Sequence, residues 1–525
     1  MTRKDGPWTP LKNPVFRILW LAVLASNAGT WMQTVGAQWL VVHEPDAATW
    51  TSLVQTVTTL PVLLFALPAG TLADALDRRR LLLAVQIGLF FVAATLTALA
   101  ALDHLPPALL LVFTFLLGCG QALTLPSWQA VIPEVVPHDQ LPAASALGAV
   151  NTNLARSAGP AVGGLLVAQF GSAVVFGLNA LSFAIFALAL AGWRRPPQPP
   201  TGHPERFGSA LRAGERYVRW SPVVRRILGR VVLFVLPGSV IWALLPVVAR
   251  QELGMGAQGY GILLAALGVG AIAGALLMPR ARRILRTDQM IVGTGAVYGA
   301  ALAVIAFVPH ALAVTPALVL AGLAWMMLVS RMNAAMQLSL PNWVRARALA
   351  IYQLVFAGGQ ALGALLWGQF ATAFGLATTF ATAAVLMAAG LLTVRIWPVH
   401  THEDEDYTPA VYWAEPHLLF QPGLDDGPVL ISAAYQVPQD NIAAFTAAMQ
   451  KVRGSRMRTG ASQWGLFRDG TKPDTFVEVY LVPTWDEHLR QHEGRLTESD
   501  EEAEKHAISL ATAPPTITHL VSTGS

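Results

Sequence analysis

Charge is scarce in this 525-residue chain, and cysteine is nearly absent. Asp, Glu, Lys and Arg make up 13% of it, where soluble globular chains carry about 25%. That deficit, beside 54% hydrophobic residues, excludes an ordinary soluble fold over most of the length and points to membrane spans. The single cysteine, Cys119, excludes an internal disulfide framework. Carboxylates vanish between Asp139 and Glu205 and again between Asp288 and Glu403. The formal charge of +4 lies in clusters flanking apolar runs, which is not a nucleic-acid footprint. No metal site and no cofactor are expected.

What is present is length and apolarity. A span needs about 20 mostly apolar residues. Twelve such runs occur, near 15–42, 50–73, 81–102, 106–130, 144–168 and 172–193, then 227–249, 257–279, 289–309, 312–337, 347–371 and 375–396. The first run is too long for a signal-peptide core and follows a polar leader, Met1 to Asn13, which argues against a cleaved leader. The expected fold is an all-α membrane protein of twelve transmembrane helices in two six-helix pseudo-repeats, with a C-terminal α+β domain. Its expected divisions are a first bundle (1–193), a central loop (194–226), a second bundle (227–396), a linker (397–427) and a tail domain (428–525).

Arginine sets the expected orientation. The segments joining spans 2–3, 6–7, 8–9 and 10–11 hold eighteen arginines, and the opposite side holds one, Arg250. Positive loops stay inside, so both termini and the central loop are expected in the cytoplasm, in a multi-pass plasma (inner) membrane protein with the lipid bilayer as its surroundings.

The halves repeat. Ala161-Val162-Gly163-Gly164-Leu165-Leu166 and Gln169-Phe170 return 200 positions on as Ala361-Leu362-Gly363-Ala364-Leu365-Leu366 and Gln369-Phe370. Gly159, Pro160 and Gly163, with Gly359 and Gly363, are expected to be packing positions, because small residues four apart let helices approach closely. Two six-span halves suit bundles that rock about a central site.

Polar residues inside spans are the candidate site. Arg156 falls near the middle of span five, where a cation must face a protein interior or a wet cavity. Arg331 lies in span ten, nearer an end. With Asn153, Asn27 and Gln33 they form the expected substrate-binding set, and satisfaction by neighbouring helices is the alternative for each. Arginine without a carboxylate at that depth favours anionic or neutral polar small-molecule cargo.

Gly70-Thr71-Leu72-Ala73-Asp74-Ala75-Leu76-Asp77-Arg78-Arg79-Arg80 joins spans two and three. It resembles the signature loop of the major facilitator superfamily at Gly70, Leu72, Asp74, Arg78 and Arg79, and departs from it at Asp77. The resemblance implies a gating motif of Gly70, Asp74, Asp77, Arg78 and Arg79, in which carboxylates and guanidiniums pair in one conformation and release in another. The arginine motif of drug/proton antiporters is missing, since span four reads Leu116-Leu117-Gly118-Cys119-Gly120-Gln121. Gly29-Thr30-Trp31-Met32-Gln33, Pro126-Ser127-Trp128-Gln129-Ala130 and Gly259-Tyr260-Gly261 resemble the branch of enterobactin-type exporters called transmembrane secretion effectors. That implies a secondary active transporter, not an enzyme, exporting a small metabolite, siderophore or drug-like compound by alternating access.

The tail follows an acidic run, Glu403 to Asp406. Alternation predicts strands at 429–437, 462–468, 475–482 and 516–521, and helices at 440–453, 485–491 and 498–510, a ferredoxin-like βαββαβ order. Arg458-Thr459-Gly460-Ala461 and Trp485 through His492 resemble antibiotic-biosynthesis-monooxygenase-like domains. The resemblance implies a homodimerisation module. Alternatively, it implies a membrane-tethered monooxygenase fed by the transport half, with Trp464, Trp485, His488 or His492 as catalytic candidates.

Overall fold

The computed structural model describes residues 8–193, 207–398, 420 and 422–522. Six helices come first: α1 (Pro14–Val41), α2 (Ala47–Ala75), α3 (Arg78–Ala101), α4 (Pro107–Val135), α5 (Leu141–Phe170) and α6 (Ser172–Gly192). A short helix, α7 (Phe207–Trp220), precedes α8 (Pro222–Val247), α9 (Ala257–Ile284), α10 (Thr287–Phe307), α11 (Ala311–Leu338), α12 (Asn342–Phe374) and α13 (Leu376–Leu392). Among the described residues ten helices are long and apolar enough to cross a membrane. α13 is apolar but shorter. α5 is long, and its apolar run is broken by Asn151, Asn153 and Arg156.

The described residues fall into two compact units. One holds 8–193, 229–332 and 353–398, and the other holds 207–228, 333–352, 420 and 422–522. The segment expected as a loop, 194–226, contains α7, while residues 194–206 lie outside the described residues. α7 is strongly amphipathic, burying Ala213 and Tyr217 and exposing Arg212, Glu215 and Arg219. A search for unbroken apolar runs passes over such a helix.

Helix ends are closed by polar groups the sequence supplies. Asn13 caps α1, its Oδ1 accepting from Val15 N at 2.9 Å. The Arg79 guanidinium donates to the Leu190 and Ala191 carbonyls at 2.9 and 2.8 Å and so terminates α6. Arg230 does the same for α13, donating to the carbonyls of Gly390, Thr393 and Trp397. A guanidinium at a helix C-terminus satisfies orphan carbonyls and opposes the dipole.

The glycines of the two similar sequence blocks make similar contacts. Gly159 and Gly163 of α5 lie against Trp31 and Met32 of α1, and Gly359 and Gly363 of α12 lie against Val235 and Ser239 of α8. The caps are not in register with the sequence blocks. α5 ends at Gly171 (φ +80°) and α12 at Gly375 (φ +82°), left-handed positions that favour glycine. The blocks repeat at 200 residues and the caps at 204, so α12 runs about one turn longer.

In the tail, β1 (Val429–Gln436), α14 (Ile442–Thr459), β2 (Gln463–Arg468), β3 (Thr475–Val482), α15 (Trp485–Arg490), α16 (Glu498–Ser509) and β4 (Thr516–Val521) follow in order. The sheet order is β2-β3-β1-β4, with every neighbouring pair antiparallel. Buried residues alternate along β1 and β3. Tyr435 and Phe476 pack on Phe445, Met449 and Val452 of α14. Glu478 is fully buried but accepts from Tyr435 Oη (3.2 Å), Trp464 Nε1 (2.8 Å) and Arg456 Nε (3.4 Å), so its charge is answered.

His488 and His492 of the tail cluster with His519 of β4, the rings edge-on or tilted, with centroids 4.8 Å (His488–His492) and 5.0 Å (His488–His519) apart. Burial, then the neighbouring imidazoles and Arg456, lowers His488 from 6.5 to about 4 and His492 to about 2. These groups are held neutral in the fold, so their stabilisation is complete above pH 6.5 and is lost as pH falls toward about 4 for His488 and about 2 for His492. Moving from neutrality to about pH 5 should cost the tail on the order of 2 kcal/mol through His488. Hydrogen exchange at the α15 amides, corrected for intrinsic rate, should show this loss, and His488→Leu should remove the share that His488 contributes and leave that of His492. An unchanged protection pattern would refute the assignment.

Candidate functional site

Arg156 stands midway along α5. Pro160, four residues on, has no N–H, so the Arg156 carbonyl loses its helical partner. The side chain is half-buried, its guanidinium carbon 5.9 Å from the Trp31 ring centroid and its Nε buried without a hydrogen bond. A cation over an indole gains about 2 kcal/mol when desolvated. Trp31 is the first ring of a row that crosses between the halves: Trp242 lies 6.1 Å from it, Trp325 5.9 Å from Trp242, and Phe234 and Tyr298 5.4 and 5.9 Å from Trp325.

Beside this row the first half is hollow. A cavity of about 600 Å³ lies among α1, α4 and α5. It runs from Asn27, Gln121 and Asn151 toward Phe16, Pro133 and Leu141, at the helix ends nearest the N-terminus. Pro133 frees the Gln129 carbonyl, which adds a polar group to that wall. A smaller cavity of about 180 Å³, bordered by Gln33, Thr34, Gln121 and Asn179, continues along α1. Asn27 Nδ2 donates to Asn151 Oδ1 at 2.9 Å, and Asn151 donates to the Trp20 carbonyl at 2.9 Å, so this polar belt is fixed rather than loose.

The opposite end is shut. There the backbones of Gly164 and Gly261 come so close that a Cβ on Gly164 would lie 2.7 Å from Gly261 Cα. Gly368 meets Ser52, and Thr49 bonds Thr372 at 2.9 Å. Pro246 deprives the Trp242 carbonyl of its helical donor, and Gln38 of α1 supplies one from across the halves at 3.1 Å. Tyr260 of α9 in turn donates its hydroxyl to Gln38 Oε1. One amide side chain thus ties α1 to α8 and to α9.

The five expected substrate-binding residues are not gathered at one point. Asn27 lines the larger cavity and Gln33 the smaller, where Gln33 accepts from Asn179. Asn153 turns back to its own helix at Ala149 O (2.9 Å), and Arg331 donates to Thr287 at the start of α10. In the expected gating motif, Gly70 and Asp74 sit on helical backbone whose side chains lie outside the described residues. Asp77 caps α3, accepting from Arg80 N at 2.8 Å, and Arg78 pairs with Glu134 of α4 at 2.8 Å. Arg78 thus also reaches outside the loop, to a carboxylate at the end of α4 that the expected pairing did not include. Sequence reasoning also passed over Trp242 and Trp325, and it named Tyr260 only within a family motif. Their signal was three large aromatics inside apolar spans, and Pro246 was the clue to a free carbonyl.

The sequence profile of the transmembrane secretion effector family matches residues 5–525. The chain belongs to that family. Within it, the chain is 30% identical over 407 residues to the multidrug efflux pump Tap of Mycobacterium tuberculosis, covering 73% of this chain and 94% of Tap. It is 28% identical over 399 residues to the enterobactin exporter EntS of Salmonella typhi (73% and 92%). It is 24% identical over 356 residues to the staphyloferrin A transporter of Staphylococcus aureus (67% and 88%). Among solved structures it shares its fold with a bacterial homologue of the human lysosomal transporter Spinster, in an inward-facing, unoccupied conformation. That match has TM-score 0.57 and 15% identity, with 74% of this chain and 95% of that one covered. A POT family transporter matches with TM-score 0.61 and 12% identity (74% and 96%). This family member is a transporter, not an enzyme.

Removing Gln38 tests the closure. Gln38→Leu deletes two buried bonds, each worth about 1 kcal/mol, and strands the Trp242 carbonyl. Spin labels at His43 and Leu253, in a Cys119→Ala background, should report an about tenfold or greater rise in the population separated at that end. An unchanged distance distribution would exclude Gln38 from holding it shut.

Proposed function

We propose that the chain is a secondary active exporter that moves a small polar or anionic organic molecule by alternating access, in the class of siderophores and drug-like metabolites. The observation that carries this reading is Arg156 beside Trp31, with no carboxylate at its depth, between a hollow end and a shut end of one helical unit. The relatives' names, a multidrug pump, an enterobactin exporter and a staphyloferrin A transporter, support the cargo class. A cation on an aromatic wall suits a planar or acidic cargo, because the ring shields the charge from lipid and leaves its outer N–H groups for an anion.

The finer organisation is part of the same proposal. It consists of twelve spans in two pseudo-repeats, bundles at 1–193 and 227–396, a central segment at 194–226, a linker at 397–427 and a ferredoxin-like tail at 428–525. The sheet order and the shared glycine contacts on α1 and α8 support it. Termini inside an inner membrane follow from the arginine asymmetry. Pairing of two copies through the tail is supported by Ile517 and Leu520, exposed on the edge strand β4. A monooxygenase role for the tail is not favoured: Trp464 spends its N–H on Glu478, and Trp485 and His488 are core.

Arg156→Gln should insert and melt like the parent, since removing a cation with an unmet Nε relieves rather than creates a buried charge. Export should slow about tenfold or more, most for an anionic compound. Metabolite accumulation in deletion cells carrying either form reads this out. An unfolded variant whose remaining folded fraction exported normally would make Arg156 structural. For topology, a reporter active only in the periplasm and fused after Ser525 should stay silent.

A further inference from the structure

α7 keeps its charge on one face, with Arg212, Glu215, Arg216 and Arg219 at i, i+3, i+4 and i+7. Together with Met457 and Ser462 of the tail, that face walls an open cleft of about 320 Å³, with Trp220 at its edge. The lining carries three guanidiniums against one carboxylate, Glu215.

The arginines are not equivalent. Arg216 is anchored: it donates to Glu487, which also accepts from Arg495 at 2.8 Å. Burial pushes the Glu487 carboxyl up, but the bonds and charges of Arg495 and Arg216 outweigh it and hold the group below its usual range, so the anchor stays ionised. The Arg216 Nε is buried and makes no hydrogen bond within the protein. Arg212 and Arg219 are exposed on either side of it.

Arg212 also has partners within the protein, and the donors of Ala461 and Ser462 are committed within the tail. Ala461 N donates to Arg456 O at 2.9 Å, Ser462 N to Leu481 O at 2.7 Å, and Ser462 Oγ to Leu481 O at 3.0 Å. A neutral ligand would therefore find few donors except guanidiniums, and a single carboxylate would engage only one fork. An anion with several oxygens and more than one charge matches a row of guanidiniums one turn apart. Trp220 and Met457 add an apolar wall. Trp220 is itself held in place by Arg453, whose guanidinium lies 5.3 Å from its ring and 5.7 Å from that of Trp464.

We propose that this cleft is a binding site for a phosphate-bearing molecule with an apolar part, its phosphate on Arg212, Arg216 and Arg219 and its apolar part against Trp220 and Met457. Glu215 would disfavour extended polyanions and keep the site to one compact phosphate group. Two sources share this chemistry: the headgroup of an anionic phospholipid and a soluble organic phosphate. The cleft shares no residue with the surroundings of Arg156, and the proposal does not depend on which cargo is exported.

The test uses the full chain in phosphatidylcholine discs, titrated with 1-naphthyl phosphate by calorimetry. The wild type should bind, and Arg212→Gln/Arg219→Gln should weaken binding at least tenfold. Arg282→Gln/Arg283→Gln, an equal loss of charge on another exposed segment, should leave it unchanged. A second arm replaces part of the lipid with phosphatidylglycerol. If only this lipid raises the melting temperature, and only when Arg212 and Arg219 are intact, the proposal holds with a lipid source. If neither arm separates the wild type from the Arg212/Arg219 variant, or if the Arg282/Arg283 control weakens binding equally, the proposal is overturned.

Discussion

A carbonyl in hydrocarbon has no water to turn to, and much of this structure follows from that constraint. Where helices end, guanidiniums fill the vacancy: Arg79 at α6 and Arg230 at α13. Where proline opens a helix, a neighbour responds, as Gln38 does for the carbonyl that Pro246 releases at Trp242. The same demand that keeps a span helical thus creates a link between halves, because the missing donor comes from a helix of the other half. Arg156, whose carbonyl Pro160 leaves without a helical donor, holds its guanidinium beside an aromatic row that crosses the halves. Backbone bookkeeping and the candidate transport path meet at that residue.

Close approach is the second half of the design. Lipid tails offer no hydrophobic drive between apolar helices, so contact area and small side chains must hold them. Gly164 against Gly261 and Gly368 against Ser52 let backbones touch at one end. At the other end, bulky Phe16, Trp20 and Trp128 border the cavity. The distribution of small and large residues therefore puts contact at one end and space at the other.

Much of this was legible beforehand. Apolar runs located the spans because each is longer than a soluble helix needs, and the tail's strands showed in the alternation of Val429 to Gln436 and Thr475 to Val482. α7 was hidden because its apolar residues recur at helical spacing instead of running together. Helix ends differ from the expected span edges where polar residues extend a helix beyond its apolar run, as at Asn342–Arg347. Arg156 stood out because a mid-span cation is costly, but its partner did not, since nothing in local sequence ties residue 156 to residue 31. Arg78 shows the same limit: its loop advertised acids close by, but not the further partner it has in Glu134, 56 residues away. Spacing along a chain reveals what lies on one helix, and pairs between helices need the fold.

The extra turn of α12 marks where the likeness between the halves stops. Counted from the glycine block that the two helices share, α12 runs to Gly375 where α5 stops at Gly171, about 6 Å farther. Thr372, which bonds Thr49, lies in that added turn, so one of the contacts at the shut end has no equivalent on α5. The two halves are therefore not interchangeable parts at that end.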